Sequence, residues 1–370
     1  DQSITGNEII TYYNNSPSAL NFLWIQLDQN VRAKDADKYK INERFYAGYS
    51  VDAKRLPHLT FDADFDGGFR IISIEDMEGN GLSFHRVKTM MRIDLAEPLK
   101  PGSVVKFKID WNYLIGNRRD DDERSGYEYF PEDDNYLFTI AQFYPRMAVF
   151  DDFNGWQNKQ FLGQGEFTLN FGNFDVKITA PADHVIAATG SLQNESLVLN
   201  PIQLERLQSA RASFDAPVVI ITEDEAVLNE GSRSDQTKTW HYKAEKVRDF
   251  AFVSSRKFIW DAQAVQLDQK TTMAMSLYPK EGNPLWEQES TKAVVNTLKT
   301  YSEMTIEYPY PVAISVHTAD IGMEYPMICF NYGRPNTKGS YSAMMKWSMI
   351  SVIIHEVGHN FFPMIINSDE

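Results

Sequence analysis

Apolar and polar side chains alternate along many short segments in the first two thirds of the chain, and this pattern limits the possible folds most strongly. Residues 21–27, 104–110 and 174–179 each place an apolar side chain at every second position. A period of two is typical of a strand with one buried face. Clusters of Gly, Asn, Asp and Pro separate these segments, as expected for turns. The pattern therefore predicts a β-sandwich or an open, barrel-like sheet.

The pattern changes after about Tyr278. Three further elements are predicted there, a helix over residues 285–301, a strand over 311–317 and a second helix over 341–362. Apolar residues recur at helical spacing in both predicted helices. We therefore expect a mainly β domain at residues 1–277, followed by an α/β domain at residues 278–370.

Two segments are rich in charged residues of both signs and poor in apolar ones. They cover residues 116–135 and 221–239. Mixed charge of this kind is typical of a solvated face or loop. We expect both segments to be loops on the surface.

The composition excludes several classes of protein. Of the 370 residues, 43% are apolar and 24% are charged, which indicates a globular chain. The net charge of −15 argues against nucleic acid or an anionic membrane as the main partner, because both need basic surface.

No apolar run reaches the length of a membrane span. The single cysteine, Cys329, excludes an intrachain disulfide and permits a cytosolic or bacterial envelope protein. The chain begins with Asp1 and shows no signal peptide, so its start does not indicate a compartment.

One motif carries chemistry. His355-Glu356-Val357-Gly358-His359 has the pattern H-E-x-x-H. Two histidines four residues apart lie on one face of a helix, where both imidazoles can bind one Zn²⁺. The intervening Glu356 is placed to deprotonate a zinc-activated water, whose pKa the metal lowers toward 7. The flanking residues 352–354 are apolar, and a buried helix with these polar groups would need a metal to satisfy them. The motif predicts a zinc metallopeptidase site.

The third zinc ligand distinguishes the classes of such enzymes. Metzincins need Gly three places after His359 and His six places after it, and this sequence has Phe362 and Ile365 there. That class is excluded, and a glutamate from a following helix remains the common option. Asn367 can cap such a helix. Glu370 is better placed to complete a capping box than to bind the metal.

These residues resemble the gluzincin aminopeptidases of the aminopeptidase N type. In that family a glutamate ligand follows the second histidine after 18 further residues, which corresponds to a position eight residues past Glu370. The resemblance implies that the chain is truncated and that its third ligand and its transition-state tyrosine lie outside it. We expect the 370-residue chain to be unable to complete the zinc site by itself. The resemblance also implies an N-terminal β-sandwich or saddle-shaped domain, followed by the first part of a thermolysin-like catalytic domain.

The family has a second motif, a G-x-M-E-N strand before the zinc helix. Gly322, Met323 and Glu324 stand in that place, whereas Ile321 replaces the first glycine and Tyr325 replaces the asparagine. In the family the glutamate binds the free α-amino group of the substrate, and the strand aligns the peptide. The resemblance therefore assigns substrate binding to Gly322, Met323 and Glu324. A carboxylate beside zinc would pair with an ammonium group and so select the chain end.

A weaker match lies in the β region. Gln142 resembles the glutamine of a T-Q-x-x segment with which the family's β domain adds a polar side chain to the amine site. Tyr144 stands where the family more often has Glu or Gln. The resemblance assigns Gln142 a contribution to substrate binding.

The leading hypothesis is a zinc-dependent aminopeptidase with one Zn²⁺, acting on peptides with a free N-terminus. His355 and His359 would bind the metal, and Glu356 would be the general base. Two alternatives remain. One is a zinc endopeptidase in which Glu324 is structural, and the other is a non-catalytic, peptidase-like interaction module. Relatives of this kind are often exported in bacteria, so we expect a periplasmic or envelope location.

Overall fold

The computed structural model describes residues 2–38, 65–118, 124–163, 165 and 168–366. The chain divides into two compact units. Unit 1 comprises residues 1–126 and 142–170, and unit 2 comprises residues 127–141 and 171–366. The domain boundary expected at residues 277/278 stays a prediction.

The described part of unit 1 contains two antiparallel sheets and one small hairpin. The first sheet has the order β1 (Ser3–Tyr13), β6 (Val104–Leu114) and β3 (Arg70–Asp76). The second has the order β4 (Phe84–Val87), β5 (Met90–Leu99), β2 (Leu20–Gln26) and β9 (Arg146–Met147). The hairpin pairs β10 (Phe150–Asp151) with β11 (Gly155–Trp156). A short 3-10 helix, Asp28–Arg32, follows β2.

The alternation of the sequence is visible in the burial of these strands. In β6, Phe107, Ile109 and Trp111 are buried, while the residues between them are only partly covered. In β2, Leu23 and Ile25 are fully buried. Unit 1 thus contains the predicted strands, each with one buried face.

Two of the three sheets in the described part of unit 2 are antiparallel. One has the order β13 (Val185–Ala188), β17 (Phe252–Ser255), β8 (Asn135–Ile140) and β7 (Gly126–Phe130). The other has the order β12 (Gly172–Pro181), β16 (Thr237–Val247) and β14 (Ser191–Leu192).

A six-stranded mixed sheet is the largest element of unit 2. Its order is β15 (Val218–Ile221), β18 (Ile259–Gln266), β19 (Thr271–Tyr278), β20 (Val312–His317), β22 (Ile328–Asn331) and β21 (Met323–Tyr325). Strand β20 is parallel to both β19 and β22, and the other pairs are antiparallel. Strands from both sides of residue 278 share this sheet.

Five α-helices occur in the described part of unit 2. They are α1 (Glu195–Val198), α2 (Pro201–Arg211), α3 (Glu223–Glu230), α4 (Leu285–Met304) and α5 (Ala343–Gly358). Helix α4 connects the parallel strands β19 and β20, because parallel neighbours need a crossover. The two long helices predicted from the sequence are confirmed as α4 and α5. Helix α5 ends at Gly358, earlier than the predicted residue 362. The amides of Asn360 and Phe361 donate to carbonyls only three residues back, those of Val357 and Gly358, so the chain leaves the α-helical pattern in a tighter turn.

The two charged segments are not simple loops, so that expectation was wrong. Residues 116–135 include β7, in which Glu128 is buried and forms two hydrogen bonds with Arg334 at 2.8 and 2.9 Å. Residues 221–239 include α3, whose capping box joins Thr222 and Glu225. A partner far along the chain compensates the buried charge, and the local composition does not show it.

Hydrogen-bonded polar side chains run between α4 and the six-stranded sheet. This polar seam consists of Tyr278, Asp261, Thr291, Ser276, Ser290, Ser315 and Asn331. Every member is buried. Burial raises the pKa of Asp261 from 3.8 to about 7, although hydrogen bonds from Thr291 and Tyr278 act in the opposite direction. The seam satisfies polar groups that would otherwise be costly inside the unit.

None of the helices in the described ranges combines the length and the apolar character that crossing a bilayer requires.

Candidate active site

Helix α5 carries the first four H-E-x-x-H residues, and His359 follows as its C-cap residue with a helical backbone conformation. The Ser342 hydroxyl accepts a hydrogen bond from the Met345 amide at 3.1 Å and caps the first turn. The buried positions Met349, Val352, Ile353 and Val357 recur at helical spacing and bury one face of the helix. His355 is exposed and His359 is half-buried. The burial of one face therefore leaves both imidazoles accessible.

The two histidines converge. Their Nε2 atoms lie 3.0 Å apart, and the rings are nearly perpendicular, at 87°. Two nitrogen ligands at 2.0–2.1 Å from a tetrahedral Zn²⁺ would be about 3.3 Å apart. Together with a Glu356 carboxylate oxygen, these donors lie within 4.8 Å of one another. The donor set fits a zinc ion.

The tautomer of His359 also suits a metal ligand. Its Nδ1 lies 3.2 Å from the carbonyl oxygen of Phe362. A carbonyl oxygen can only accept, so Nδ1 carries the proton and donates it. The lone pair of the neutral ring is then on Nε2, which faces His355. Metal-binding histidines commonly donate their second nitrogen in this way.

Glu356 is buried between its own helix and the backbone of Gly322. A Cβ atom on Gly322 would lie 2.5 Å from Glu356 Oε1 and 2.6 Å from a methyl carbon of Val352. The absence of a side chain at Gly322 therefore leaves room for the carboxylate. The Glu356 backbone carbonyl accepts a hydrogen bond from the thiol of Cys329 at 3.2 Å. Burial raises the pKa of the Cys329 thiol well above its usual range, and the nearby carboxylates of Glu356 and Glu324 add to this effect. Cys329 is thus a neutral donor.

Glu324 lies beside the histidines. It is the middle residue of β21, between the buried Met323 and Tyr325, and its Oε1 atom is 3.8 Å from His359 Nε2. Strand β21 pairs only with β22 in the described part of the sheet, which makes it an edge strand there. An edge strand offers unpaired backbone groups to an extended peptide.

The structure brings together five of the seven residues predicted for the site. Those residues are His355, Glu356, His359, Glu324 and Gly322. Met323 is buried at the start of β21. Gln142 is buried and belongs to unit 1, and its role stays a prediction. Residues 367–370, including the possible ligand Glu370, lie outside the described residues.

Asn360 was not predicted from the sequence. It is buried directly after His359, and its Oδ1 accepts a hydrogen bond from the Met327 amide at 2.7 Å. An amide side chain between a histidine and two phenylalanines was the only available signal.

A second group of carboxylates lies elsewhere in unit 2. Asp133, Glu230 and Glu281 have oxygens within 4.8 Å of one another. The fully buried Lys257 ammonium contacts all three, and Lys280 contacts Asp133 and Glu230. Two cations therefore already neutralise most of this charge. The cluster is a salt-bridge network, with no second observation to indicate a metal.

No protein-family model and no curated protein sequence matches the chain. Solved structures do match it. The M1 zinc metallopeptidase from Deinococcus radiodurans aligns with a TM-score of 0.54 and 12% identity, covering 98% of this chain and 61% of that one. The chain therefore shares the fold of the matching part of that structure.

Two further crystal structures of M1 zinc metallopeptidases give similar values. A mutant of the M1 zinc metallopeptidase from Deinococcus radiodurans aligns with a TM-score of 0.55 and 12% identity, over 99% of this chain and 62% of the other. A mutant two-domain M1 zinc metallopeptidase bound to L-arginine aligns with a TM-score of 0.54 and 13% identity, over 99% and 62%. The chain thus spans less than two thirds of the length of these M1 structures. The predicted fold class, a β domain followed by part of a catalytic domain, is confirmed.

Proposed function

We propose that the protein is a zinc-dependent aminopeptidase. The observation that carries this proposal is the 3.8 Å distance between Glu324 Oε1 and His359 Nε2. It places a carboxylate on an edge strand beside a histidine pair whose geometry fits Zn²⁺. An anchor for a substrate ammonium group would thus lie directly beside the metal-binding residues.

Each residue has a defined part in this proposal. His355 and His359 would hold Zn²⁺, which when bound supplies Lewis acidity toward the scissile carbonyl. Glu356 would hold and orient the attacking water and accept its proton. Glu324 would pair with the α-ammonium group, and the edge strand β21 would align the peptide backbone. The third ligand would be the later glutamate that the aminopeptidase N resemblance implies.

The substrate class rests on the same anchor. One solved M1 zinc metallopeptidase holds L-arginine and another holds a Tyr-Ser-Ala substrate. For this protein we propose peptides with a free N-terminus, with Gln142 as a further contact. A periplasmic or envelope location in a bacterium remains part of the proposal.

Three variants of the full-length protein test the function. The variant Glu356→Gln should retain zinc, measured by atomic emission, and lose peptide cleavage. The variant Glu324→Gln should weaken cleavage of a free peptide. The exposed Glu97 provides the matched control, because Glu97→Gln changes a surface carboxylate and should leave activity unchanged. Cleavage that survives Glu356→Gln would contradict the proposed mechanism.

Products followed by mass spectrometry separate the alternatives. Stepwise removal of N-terminal residues from a free peptide, but not from its N-acetylated form, is the expected result. Internal cleavage of both forms would indicate an endopeptidase. No cleavage at any zinc concentration would indicate a non-catalytic module.

A further inference from the structure

The turn that joins β21 to β22 is held by side chains from two other elements. Its residues are Pro326 and Met327, and Met327 has a left-handed backbone, with φ of 66°. The Met327 amide donates to Asn360 Oδ1 at 2.7 Å. The Pro326 carbonyl accepts from the hydroxyl of Thr189 at 2.9 Å. A turn in this conformation needs outside contacts to persist, because an L-residue adopts it only at a cost.

Asn360 connects the two halves of the candidate site. It follows His359 directly in the chain. Its Nδ2 lies 3.4 Å from the carbonyl oxygen of Tyr325, which follows Glu324 directly. One buried side chain therefore bridges the backbone next to a metal-binding histidine and the backbone next to the carboxylate.

Thr189 is the second side chain that holds this turn, through its hydrogen bond to the Pro326 carbonyl. It is fully buried, follows β13, and accepts a hydrogen bond from the Ala251 amide at 3.1 Å. Thr189 is 137 residues from Pro326 in the chain, so the contact is purely tertiary. The β13–β17 region thereby fixes the turn against the sheet.

Strand β21 needs such support because it is short. It has three residues and a single partner strand in the described sheet. Few ladder hydrogen bonds resist a sliding or tilting motion of Glu324 relative to His359. Small displacements matter at this distance, because a misplacement of about 1 Å in a reacting geometry costs activity on the order of a hundredfold.

We propose that Asn360 and Thr189 are positioning residues that set the separation between Glu324 and the metal-binding histidines. That separation determines how far from the free amine the peptide is cut. This inference rests on the proposed aminopeptidase function. Neither residue contacts the reacting atoms, and both act through the Pro326–Met327 turn.

The test uses the full-length protein and three variants. Thr189→Val removes the hydroxyl at nearly constant shape, Thr189→Ser keeps it, and Asn360→Ala removes the bridge. The first measurement is kcat and KM for a tripeptide with a free N-terminus and for its N-acetylated form. The second is the calorimetric Kd of the free tripeptide in a Glu356→Gln background, together with zinc content and Tm.

We expect Asn360→Ala and Thr189→Val to raise both KM and Kd for the free tripeptide about tenfold, the size of one lost hydrogen-bonded contact. Zinc content should be unchanged, preference for the free over the acetylated peptide should fall, and Thr189→Ser should behave as wild type. Unchanged preference in both disruptive variants, with only Tm reduced, would overturn the positioning role alone. A wild-type protein that cleaves both peptides equally would overturn the proposed function, and this inference with it.

Discussion

Asp261 should make the stability of the protein depend on pH, and Asp261→Asn should remove that dependence. The carboxyl is buried in the polar seam, and burial raises its pKa from 3.8 to about 7. A raised acid pKa stabilises the folded state fully below the unfolded value, and this contribution is lost as the pH rises toward 7. The wild-type protein should therefore lose stability between pH 5 and pH 7 through this group.

The size of the effect follows from the pKa. Each pH unit between the two pKa values contributes about 1.36 kcal/mol, so the two units from pH 5 to pH 7 amount to about 3 kcal/mol. Asparagine retains an oxygen that can accept from Thr291 or Tyr278, the present donors to Asp261. The asparagine side chain cannot ionise, so the free energy of unfolding of the variant should not depend on pH through residue 261.

The assay is urea unfolding followed by tryptophan fluorescence at pH 5 and pH 8, for wild type and Asp261→Asn. The free energy of unfolding of the variant, relative to wild type, should rise by about 3 kcal/mol between the two pH values. The exposed Asp268 is the control, and Asp268→Asn should show no such change. A relative stability of Asp261→Asn that is equal at pH 5 and pH 8 would refute the reasoning.

Two further substitutions probe the site and the salt-bridge network. Gly322→Ala should lower kcat by roughly tenfold or more, with zinc retained. The reason is that the new Cβ would lie 2.5 Å from Glu356 Oε1 and 2.6 Å from Val352. An unchanged kcat in a peptidase assay would argue against this contact. Lys257→Met should cost about 3–5 kcal/mol of unfolding free energy, because it leaves the buried Glu230 and the half-buried Asp133 and Glu281 with too little positive charge. Exposed Lys292→Met is the control in the same denaturation assay, and equal losses in the two variants would contradict the network.

Local pattern was enough to predict much of the fold. The alternation at residues 104–110 lies within β6, and the helical spacing after Tyr278 corresponds to α4 and α5. Both signals depend only on near neighbours, which determine which face of a strand or helix can be buried. The convergence of His355 and His359 follows from helical geometry for the same reason.

Contacts between distant residues could not be predicted. Glu128 and Arg334 are 206 residues apart, so the sequence near Glu128 shows only a charged segment. Asn360 and the Pro326–Met327 turn are brought together by the packing of α5 against the sheet, and no spacing rule links them. The distance from Glu324 to His359 likewise required the tertiary structure, whereas the motif alone indicated only that both residues are candidates.

The parallel pairing of β19 with β20 has a consequence for synthesis of the chain on the ribosome. The 33 residues 279–311, which include α4, separate the two strands. At bacterial and eukaryotic elongation rates this interval lasts about 2–7 s. During that time the mostly apolar β19 has left the exit tunnel without its central neighbour, and its open edge can pair with other nascent chains. Chaperones that bind nascent chains would therefore raise yield by covering this edge before residue 317 is available.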